Sequence, residues 1–205
     1  NQADQNRLDD AILHATIIKQ DTPSDDESSI YMVFERLNTG GTPLQPQEIR
    51  ACVYYGSFNE LLSELTEIPA WRAIFGKENK RMNEQELILR FFSLFYECNE
   101  YKKTLKSFIN SFMSKNRNLE MYSKEELKKL FVDSIQFISD SIGNKAFRIG
   151  NRLNAAIFDS VMVGVAKCII ETPNLNKEIF KTKYESLLID PEYRSFVDNS
   201  TSSES

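Results

Sequence analysis

The stretch NEQELILRFFSLFYE, Asn83 to Glu97, carries apolar side chains on almost every side of a helical projection. A helix that is apolar all round belongs in the interior of a globular protein, so this segment is predicted to be the central buried helix. Asn83 and Glu86 have the spacing of a helix start and predict its N-terminus. Arg90 stands alone among apolar neighbours and is therefore predicted to pair with an acidic side chain or with helix-end carbonyls.

Shorter helices are predicted on both sides of this segment from helical periodicity and from start and stop residues. The first is indicated by an apolar stripe at Ile30, Val33, Phe34 and Leu37, which follows the start residues Thr22, Pro23 and Asp25. The second runs from about Gln47 to Tyr55, between Pro46 and Gly56, and the third begins with a capping box from Ser57 to Glu60. The other four cover residues 104–116, 124–142, 154–170 and 176–188. Ser123 and Glu126 predict the start of the fifth of these helices, and Gly143 predicts its end. Asp190 and Pro191 predict a short final turn.

Only one segment, His14 to Gln20, resembles a strand, and it has no partner elsewhere in the chain. A lone strand leaves its backbone groups unpaired, so we expect either self-association through residues 14–20 or a sheet whose other strands lie upstream. The serine-rich residues 199–205 are predicted to be a disordered tail. The fold class is therefore mainly α, an orthogonal bundle of about eight to nine helices with at most one short N-terminal strand.

Composition excludes several classes of protein. The net charge of -5 argues against a protein that grips nucleic acid with its whole surface, although a local basic patch stays compatible. The cysteines at Cys52, Cys98 and Cys168 have no paired spacing, which predicts neither disulfides nor a zinc site and indicates a reducing cytoplasm. No apolar run is long enough to span a bilayer, so no membrane contact is expected. No metal site and no catalytic residue is predicted.

Two places in the sequence are candidate binding sites. The turn NTGGTP, Asn38 to Pro43, could form a nest of backbone amides for phosphate, but a left-handed helix cap and a simple chain turn explain it as well and are favoured. The segment NKAFRIGNRLN interrupts two strongly helical regions and carries Lys145, Arg148 and Arg152. Such a cluster is usually a solvated face, yet a non-helical insert can aim basic side chains at DNA.

Four quoted segments resemble the GmrSD-type restriction endonuclease N-terminal domain family, whose members join a ParB-like nuclease half to a helical half. They are TIIKQ, VFERLNTGGTPLQPQEIRACVYYGSFNELL, WRAIFGKENKRMNEQELILRFFSLF and FRIGNRLNAAIFDSVMVG, and together they span nearly the whole chain. The most specific part is the helix with Arg36 and Asn38, the glycine turn, and then Leu44 and Glu48.

The resemblance implies a bacterial, cytoplasmic, nucleotide-dependent DNA endonuclease of restriction or phage defence, with a divalent metal, for the parent protein. The family's Asp-Gly-Gln-Gln-Arg-like motif is missing here, so the chain is expected to begin downstream of it and to be inactive alone. On this reading residues 1–56 are the remnant of the ParB-like half, and 57–198 are the helical domain. The implied cleft or ligand contacts are Arg36, Asn38, Gly40 and Gly41, with Glu48 and Arg50 either holding the turn or contacting the cleft.

The leading hypothesis is the helical portion of such a nuclease, which supports the upstream ParB-like half and contacts DNA. The alternative is a helical protein-interaction module with no nucleic-acid role. The sequence upstream of Asn1 would separate the two hypotheses, because only the first requires a strand followed by the missing motif.

Overall fold

The computed structural model describes residues 28–37, 42–102, 104–172 and 174–199, together with the single positions 5, 7, 11, 12 and 17. Within these residues it contains ten α-helices and one two-stranded hairpin, so the prediction of a mainly helical fold is confirmed. The helices are α1 Ser28–Leu37, α2 Pro46–Val53, α3 Ser57–Thr66, α4 Pro69–Phe75, α5 Asn83–Glu97, α6 Leu105–Lys115, α7 Lys124–Ile142, α8 Ala155–Glu171, α9 Lys177–Ile189 and α10 Pro191–Asn199. The strands are β1 Arg148–Ile149 and β2 Arg152–Leu153, and short 3-10 turns occupy Cys98–Glu100 and Gly143–Lys145.

Helix α5 lies at the centre of the bundle, as its apolar circumference predicts. It packs against α8 most extensively and also against α3 and α6, while α7 packs across α8. Phe91 and Phe92 are fully buried and approach Phe131 of α7 with ring centroids 6.1 and 6.4 Å apart. Tilted aromatic contacts at this distance add to the stabilisation from burial, so the centre of the core is aromatic.

Arg90 on α5 pairs with Asp159 on α8, which confirms the prediction that it needs an acidic partner. Its Nη2 and Nε donate to the same carboxylate oxygen, Oδ2, at 2.6 and 3.1 Å. The Arg90 side chain is only 8% exposed, and that of Asp159 is 14% exposed. The ion pair therefore crosslinks the two most closely packed helices at a place that is nearly dry.

The predicted helix starts are partly wrong. Ser123 caps α7 as predicted, since its hydroxyl accepts the Glu126 N–H. The cap of α5 is Met82, in a left-handed conformation with φ 59°, and Asn83 is already helical. The predicted cap failed because Glu84, nearly fully buried, organises the preceding loop by accepting the Asn79 N–H at 3.1 Å.

The predicted capping box at Ser57 is also absent, because Gly56 occupies the cap position of α3 and no side chain caps that helix. A side chain could not replace this glycine. A Cβ at Gly56 would lie 2.4 Å from the Arg117 carbonyl oxygen, and the Phe58 N–H donates to that same oxygen at 3.1 Å. Gly56 therefore does not end the preceding helix, which stops at Val53, but allows a close approach between α3 and the turn after α6.

The apolar stripe predicted for α1 describes its packing only in part. Tyr31, which the periodicity did not select, is the buried residue, and its hydroxyl donates to the Pro46 carbonyl at 3.4 Å. Leu37 at the end of the stripe is 59% exposed. The reason is that α1 packs on α2, whose position the sequence pattern of α1 cannot specify. The predicted cap at Thr22, Pro23 and Asp25 lies outside the described residues.

Three elements of the structure differ from the sequence prediction. Helix α4 carried no prediction, and the final turn predicted at Pro191 is the nine-residue helix α10. The insert between α7 and α8 is non-helical as predicted, but it forms the antiparallel pair of β1 and β2. Of the predicted strand at residues 14–20 only Ile17 is described, and residues 200–205 of the predicted tail lie outside the described chain.

Candidate nucleic-acid interface

A cleft of about 950 Å³ opens where the end of α4, the turn after α7, the hairpin and α9 meet. Its lining combines apolar, amide and basic side chains with two glycines. The lining residues are Ala73, Ile74, Gly76, Ile142, Asn144, Lys145, Arg148, Gly150, Asn151, Lys181, Tyr184, Glu185 and Leu188. A concave site of this volume is large enough for a small ligand or for one part of a larger one.

Arg148 is the fixed cation of the cleft. Its guanidinium donates to three backbone carbonyls, from Nη2 to Ile74 at 2.7 Å, from Nη1 to Asn151 at 2.8 Å and from Nε to Asn144 at 3.3 Å. It forms no ion pair with any carboxylate of the described residues. The side chain is thus held by neutral acceptors, and its positive charge is not cancelled.

The hairpin that presents Arg148 is held to the bundle at its base. Phe147 is fully buried and has φ 62°, an unusual conformation for a residue with a side chain. Its N–H donates to the Tyr184 hydroxyl at 2.9 Å, and its carbonyl accepts the Asn154 N–H at 2.8 Å. Its ring meets Phe158 edge-on, with centroids 5.0 Å apart. This anchor orients the strand that begins at the next residue.

The tip of the hairpin is a two-residue connection, Gly150 and Asn151, with Gly150 at φ 62°. A positive φ at the first position of such a connection matches the twist of the two strands, and glycine adopts it without steric cost. The Asn151 carbonyl then points back to Arg148. The tip and the guanidinium therefore stabilise each other.

Tyr184 of α9 forms one wall of the cleft and is 4% exposed. Burial raises the pKa of Tyr184 above its ordinary value, and the hydrogen bond from Phe147 offsets this only in part. The phenol is therefore neutral across the physiological pH range. It contributes a structural hydrogen bond and adds no negative charge to the basic cleft.

Two ammonium groups accompany Arg148. Lys145 comes from the 3-10 turn after α7 and Lys181 from α9, and both are exposed. Neither forms an ion pair with any residue that the structure describes. Among the described residues Glu185 is the one carboxylate in the lining, so three described cations face one anion there. The cleft is a local basic site on an acidic chain.

The three predicted DNA contacts are not all brought together. Lys145 and Arg148 share the cleft, whereas Arg152 is exposed and absent from its lining. The register explains the separation, because Arg152 lies opposite Ile149 and Arg148 lies opposite Leu153. Successive residues of a strand point to opposite faces, so the two arginines occupy different faces of the hairpin.

Lys181 was not predicted as a site residue. One signal could have suggested it: Lys181 precedes Tyr184 by three residues and Leu188 by seven, and these spacings place the three side chains on one face of a helix. The tyrosine marks the face of α9 that packs inward. A lysine at the edge of that face is then expected to lie beside the part of the fold against which α9 packs.

Arg50, predicted either to hold the glycine turn or to contact the cleft, is deeply buried at 1% exposure. Its Nε donates to Asn110 Oδ1 at 2.6 Å, and its Nη1 donates to Glu86 Oε2 at 2.7 Å and Gln47 Oε1 at 3.2 Å. Burial raises the pKa of nearby Tyr31 to about 12, against the opposing effect of the Arg50 charge. Arg50 thus joins α2 to α5 and α6 from the inside.

Glu48 also has structural partners. Its Oε2 accepts the Gln45 N–H at 2.6 Å at the start of α2 and lies 3.0 Å from Arg81 Nη2. Arg36 is exposed near the end of α1. Asn38, Gly40 and Gly41 lie outside the described residues, so a nucleotide or DNA site at the glycine turn stays a prediction.

The described residues do not provide a metal centre. No three His, Cys, Asp or Glu side chains among them are grouped closely enough to hold an ion. Cys52, Cys98 and Cys168 are free and exposed. The divalent metal that the family resemblance implies for the parent protein therefore has no ligand set in this part of the chain, and no chemical step is assigned to it. In the same part of the chain no helix combines the length and apolar character needed to cross a bilayer.

No family model, curated protein or solved structure matches this chain. The resemblance to the GmrSD-type family accordingly stays a prediction that rests on the quoted motifs. The feature of the described residues that bears on function is the basic cleft.

Proposed function

We propose that the basic cleft binds the phosphate backbone of DNA, and that the chain is the helical portion of a cytoplasmic GmrSD-like or ParB-like restriction or phage-defence nuclease. In this proposal the helical bundle supports the upstream nuclease half and helps to hold its substrate. The catalytic groups, the nucleotide and the metal belong to the parent protein. The chain described by the structure supplies positioning and charge.

The observation that carries the proposal is the environment of Arg148. A buried arginine needs a carboxylate to offset its lost hydration, as Arg90 has in Asp159. Arg148 is held in place by three carbonyls and keeps its charge. One N–H on Nη1 and one on Nη2 are left without a described acceptor. A preoriented guanidinium with spare donors is well suited to phosphate oxygens.

The overall charge of -5 does not oppose this interaction. At physiological ionic strength charges more than about 8 Å apart on an exposed surface are largely screened from one another. A phosphate in the cleft therefore interacts mainly with Lys145, Arg148 and Lys181, and with the single carboxylate of Glu185. The acidic remainder of the surface weakens non-specific binding elsewhere, which favours binding at this one place.

The test is fluorescence anisotropy of a labelled DNA duplex titrated with the wild-type chain and with Lys181→Gln. The matched control is Lys183→Gln, which removes the same charge from the same helix at an exposed residue outside the cleft lining. If Lys181 contacts phosphate, its loss should lower the slope of log affinity against log salt by about 1, while the control leaves the slope unchanged.

The alternative of a protein-interaction module predicts a different result. Without a nucleic-acid role, the wild-type chain should bind DNA weakly, and the two lysine variants should behave alike. Equal slopes for Lys181→Gln and Lys183→Gln would therefore refute the proposed use of the cleft.

A further inference from the structure

We infer that the cleft receives the end of a DNA strand and binds its terminal phosphomonoester, in preference to an internal phosphodiester. This inference rests on the proposed DNA binding and names the part of the DNA that enters. It follows from the shape of the cleft, from its charge and from its available hydrogen-bond donors.

The shape favours an end. The three cations come from three different elements, the turn after α7, the hairpin and α9, and all of them line one concave site of about 950 Å³. A surface that follows a continuous duplex needs cations spread along the phosphates, outside any cavity. A cleft of this volume can accommodate a terminal nucleotide, whereas a continuous duplex can only pass over its rim.

The charge also matches an end. Lys145, Arg148 and Lys181 face one carboxylate, Glu185, which leaves an excess of two positive charges in the lining. A phosphomonoester carries about -1.5 to -2 at neutral pH, whereas an internal phosphodiester carries a single negative charge. The monoester therefore neutralises the cleft more completely than the diester does.

The donors are suited to the same group. Arg148 retains one N–H on each Nη, and Lys145 and Lys181 are unpaired with any residue that the structure describes. A terminal phosphate offers three strong acceptor oxygens to these donors, and guanidinium binds such oxygens in a bidentate manner. Because the three carbonyls already orient Arg148, little side-chain entropy is lost on binding.

The rest of the lining can hold the nucleotide that bears the phosphate. Ala73, Ile142 and Leu188 contribute apolar surface beside the cations. A bare phosphate would gain nothing from such surface, whereas the sugar and base of a terminal nucleotide would bury apolar area against it. The mixed lining thus distinguishes a strand end from a free inorganic phosphate.

The experiment compares two duplexes of identical sequence, labelled at one 3′ end, that differ only in a phosphate or a hydroxyl at both 5′ ends. We expect the wild-type chain to bind the phosphorylated duplex about tenfold more tightly, as a charge-assisted contact predicts. Lys181→Gln should lose most of this preference, and Lys183→Gln should keep it. Arg148→Lys keeps the positive charge but removes the planar guanidinium with its paired N–H donors, so it should also reduce the preference.

Competition distinguishes the sources of phosphate. A covalently closed circular DNA, which has no ends, should compete poorly for the phosphorylated duplex, and inorganic phosphate should compete only at far higher concentration. Effective competition by either one would overturn the assignment to strand ends.

The two proposals fail in distinguishable ways. Equal affinity for the phosphorylated and hydroxyl duplexes, with both weakened by Lys181→Gln, would overturn the inference about ends and leave the proposed DNA binding intact. Absence of binding to either duplex would overturn both. Because Lys181 is exposed and makes no described ion pair, its variant tests the inference even if Arg148→Lys fails to fold.

Discussion

Arg90 and Arg148 each join two elements of the fold, and the groups that surround them differ. Arg90, between α5 and α8, is nearly buried and donates twice to the Asp159 carboxylate. Arg148, between α4 and the hairpin, lines an open cleft and donates to three backbone carbonyls. Both side chains are held firmly, but only the first is neutralised.

The two arginines differ in partner because their guanidinium groups differ in access to water. In the dry interface an unpaired guanidinium would lose its hydration without compensation, so a carboxylate is needed there. At the cleft, water and mobile ions can solvate the outer side of Arg148, and carbonyl dipoles suffice to orient it. A buried arginine with a carboxylate therefore indicates packing, whereas a half-exposed arginine held by carbonyls keeps its positive charge at the surface.

The largest effect is expected at Arg90. Arg90→Met with Asp159 retained should lower the free energy of unfolding by about 3 to 5 kcal/mol, because it leaves a nearly buried carboxylate without its counter-ion. Urea unfolding followed by circular dichroism measures this change. The double variant Arg90→Met, Asp159→Leu should recover much of the loss, since replacing both ions removes the unpaired charge. A single variant as stable as wild type would show that the pair is dispensable.

A smaller loss is expected at Arg148. Arg148→Met removes three hydrogen bonds to carbonyls, but those carbonyls border an open cleft and can bind water instead. The free energy of unfolding should therefore fall by about 1 to 2 kcal/mol in the same urea experiment. If Arg148→Met proved more destabilising than Arg90→Met, Arg148 would have to be regarded as primarily structural, and the comparison would be reversed.

A carboxylate introduced into the cleft should weaken its binding of DNA. Asn144→Asp is nearly isosteric and places a negative charge in the cleft lining, close to Lys145 and Arg148. We expect DNA affinity at low salt to fall about 3- to 10-fold, with little change in melting temperature. Asn144→Ser removes the amide without adding charge and serves as the control in the same anisotropy titration. Equal affinities of the two variants would mean that the charge of the cleft does not matter.

The smallest effect is expected for an exposed cluster of three charged residues. Lys124 and Lys128 hydrogen-bond Glu64 and lower its pKa from 4.5 to about 2. Because the folded-state pKa is depressed, the cluster stabilises the fold above about pH 4.5, and this contribution is lost as the pH falls through about 2. Glu64 is 37% exposed, so solvent screening limits the stabilisation to about 0.5 kcal/mol. Unfolding of wild type and Glu64→Gln at pH 7 and pH 2 should show a small difference that disappears at the lower pH. A difference that persists at pH 2 would contradict this origin.

Much of the helical fold could be predicted because its signals are local. The apolar circumference of 83–97 predicted the central helix, and Ser123 and Gly143 predicted both ends of α7. Predictions failed where a distant group decides the outcome. Gly56 is required by the Arg117 carbonyl, sixty-one positions along the chain, and the loop before α5 is shaped by the buried Glu84.

The cleft was predictable only in part for the same reason. The non-helical insert with Lys145 and Arg148 stood out between two helical segments, and both residues line the cleft. Arg152 could not be separated from them without the register of the hairpin, because a two-residue strand carries no visible periodicity. The burial of Arg50 could not be predicted, because no residue near it in the sequence indicates that Asn110 and Glu86 are its partners.

The positions of most helices, the central place of α5 and the need of Arg90 for a partner follow from local periodicity and from the cost of burying a charge. Which basic side chains share a site depends on how the helices pack. Lys181 lies in the same cleft as Lys145 and Arg148. Tyr184, three residues further along α9, accepts the N–H of Phe147 at 2.9 Å and so holds α9 against the base of the hairpin. A contact between residues 37 positions apart arises from packing, and no local pattern encodes it.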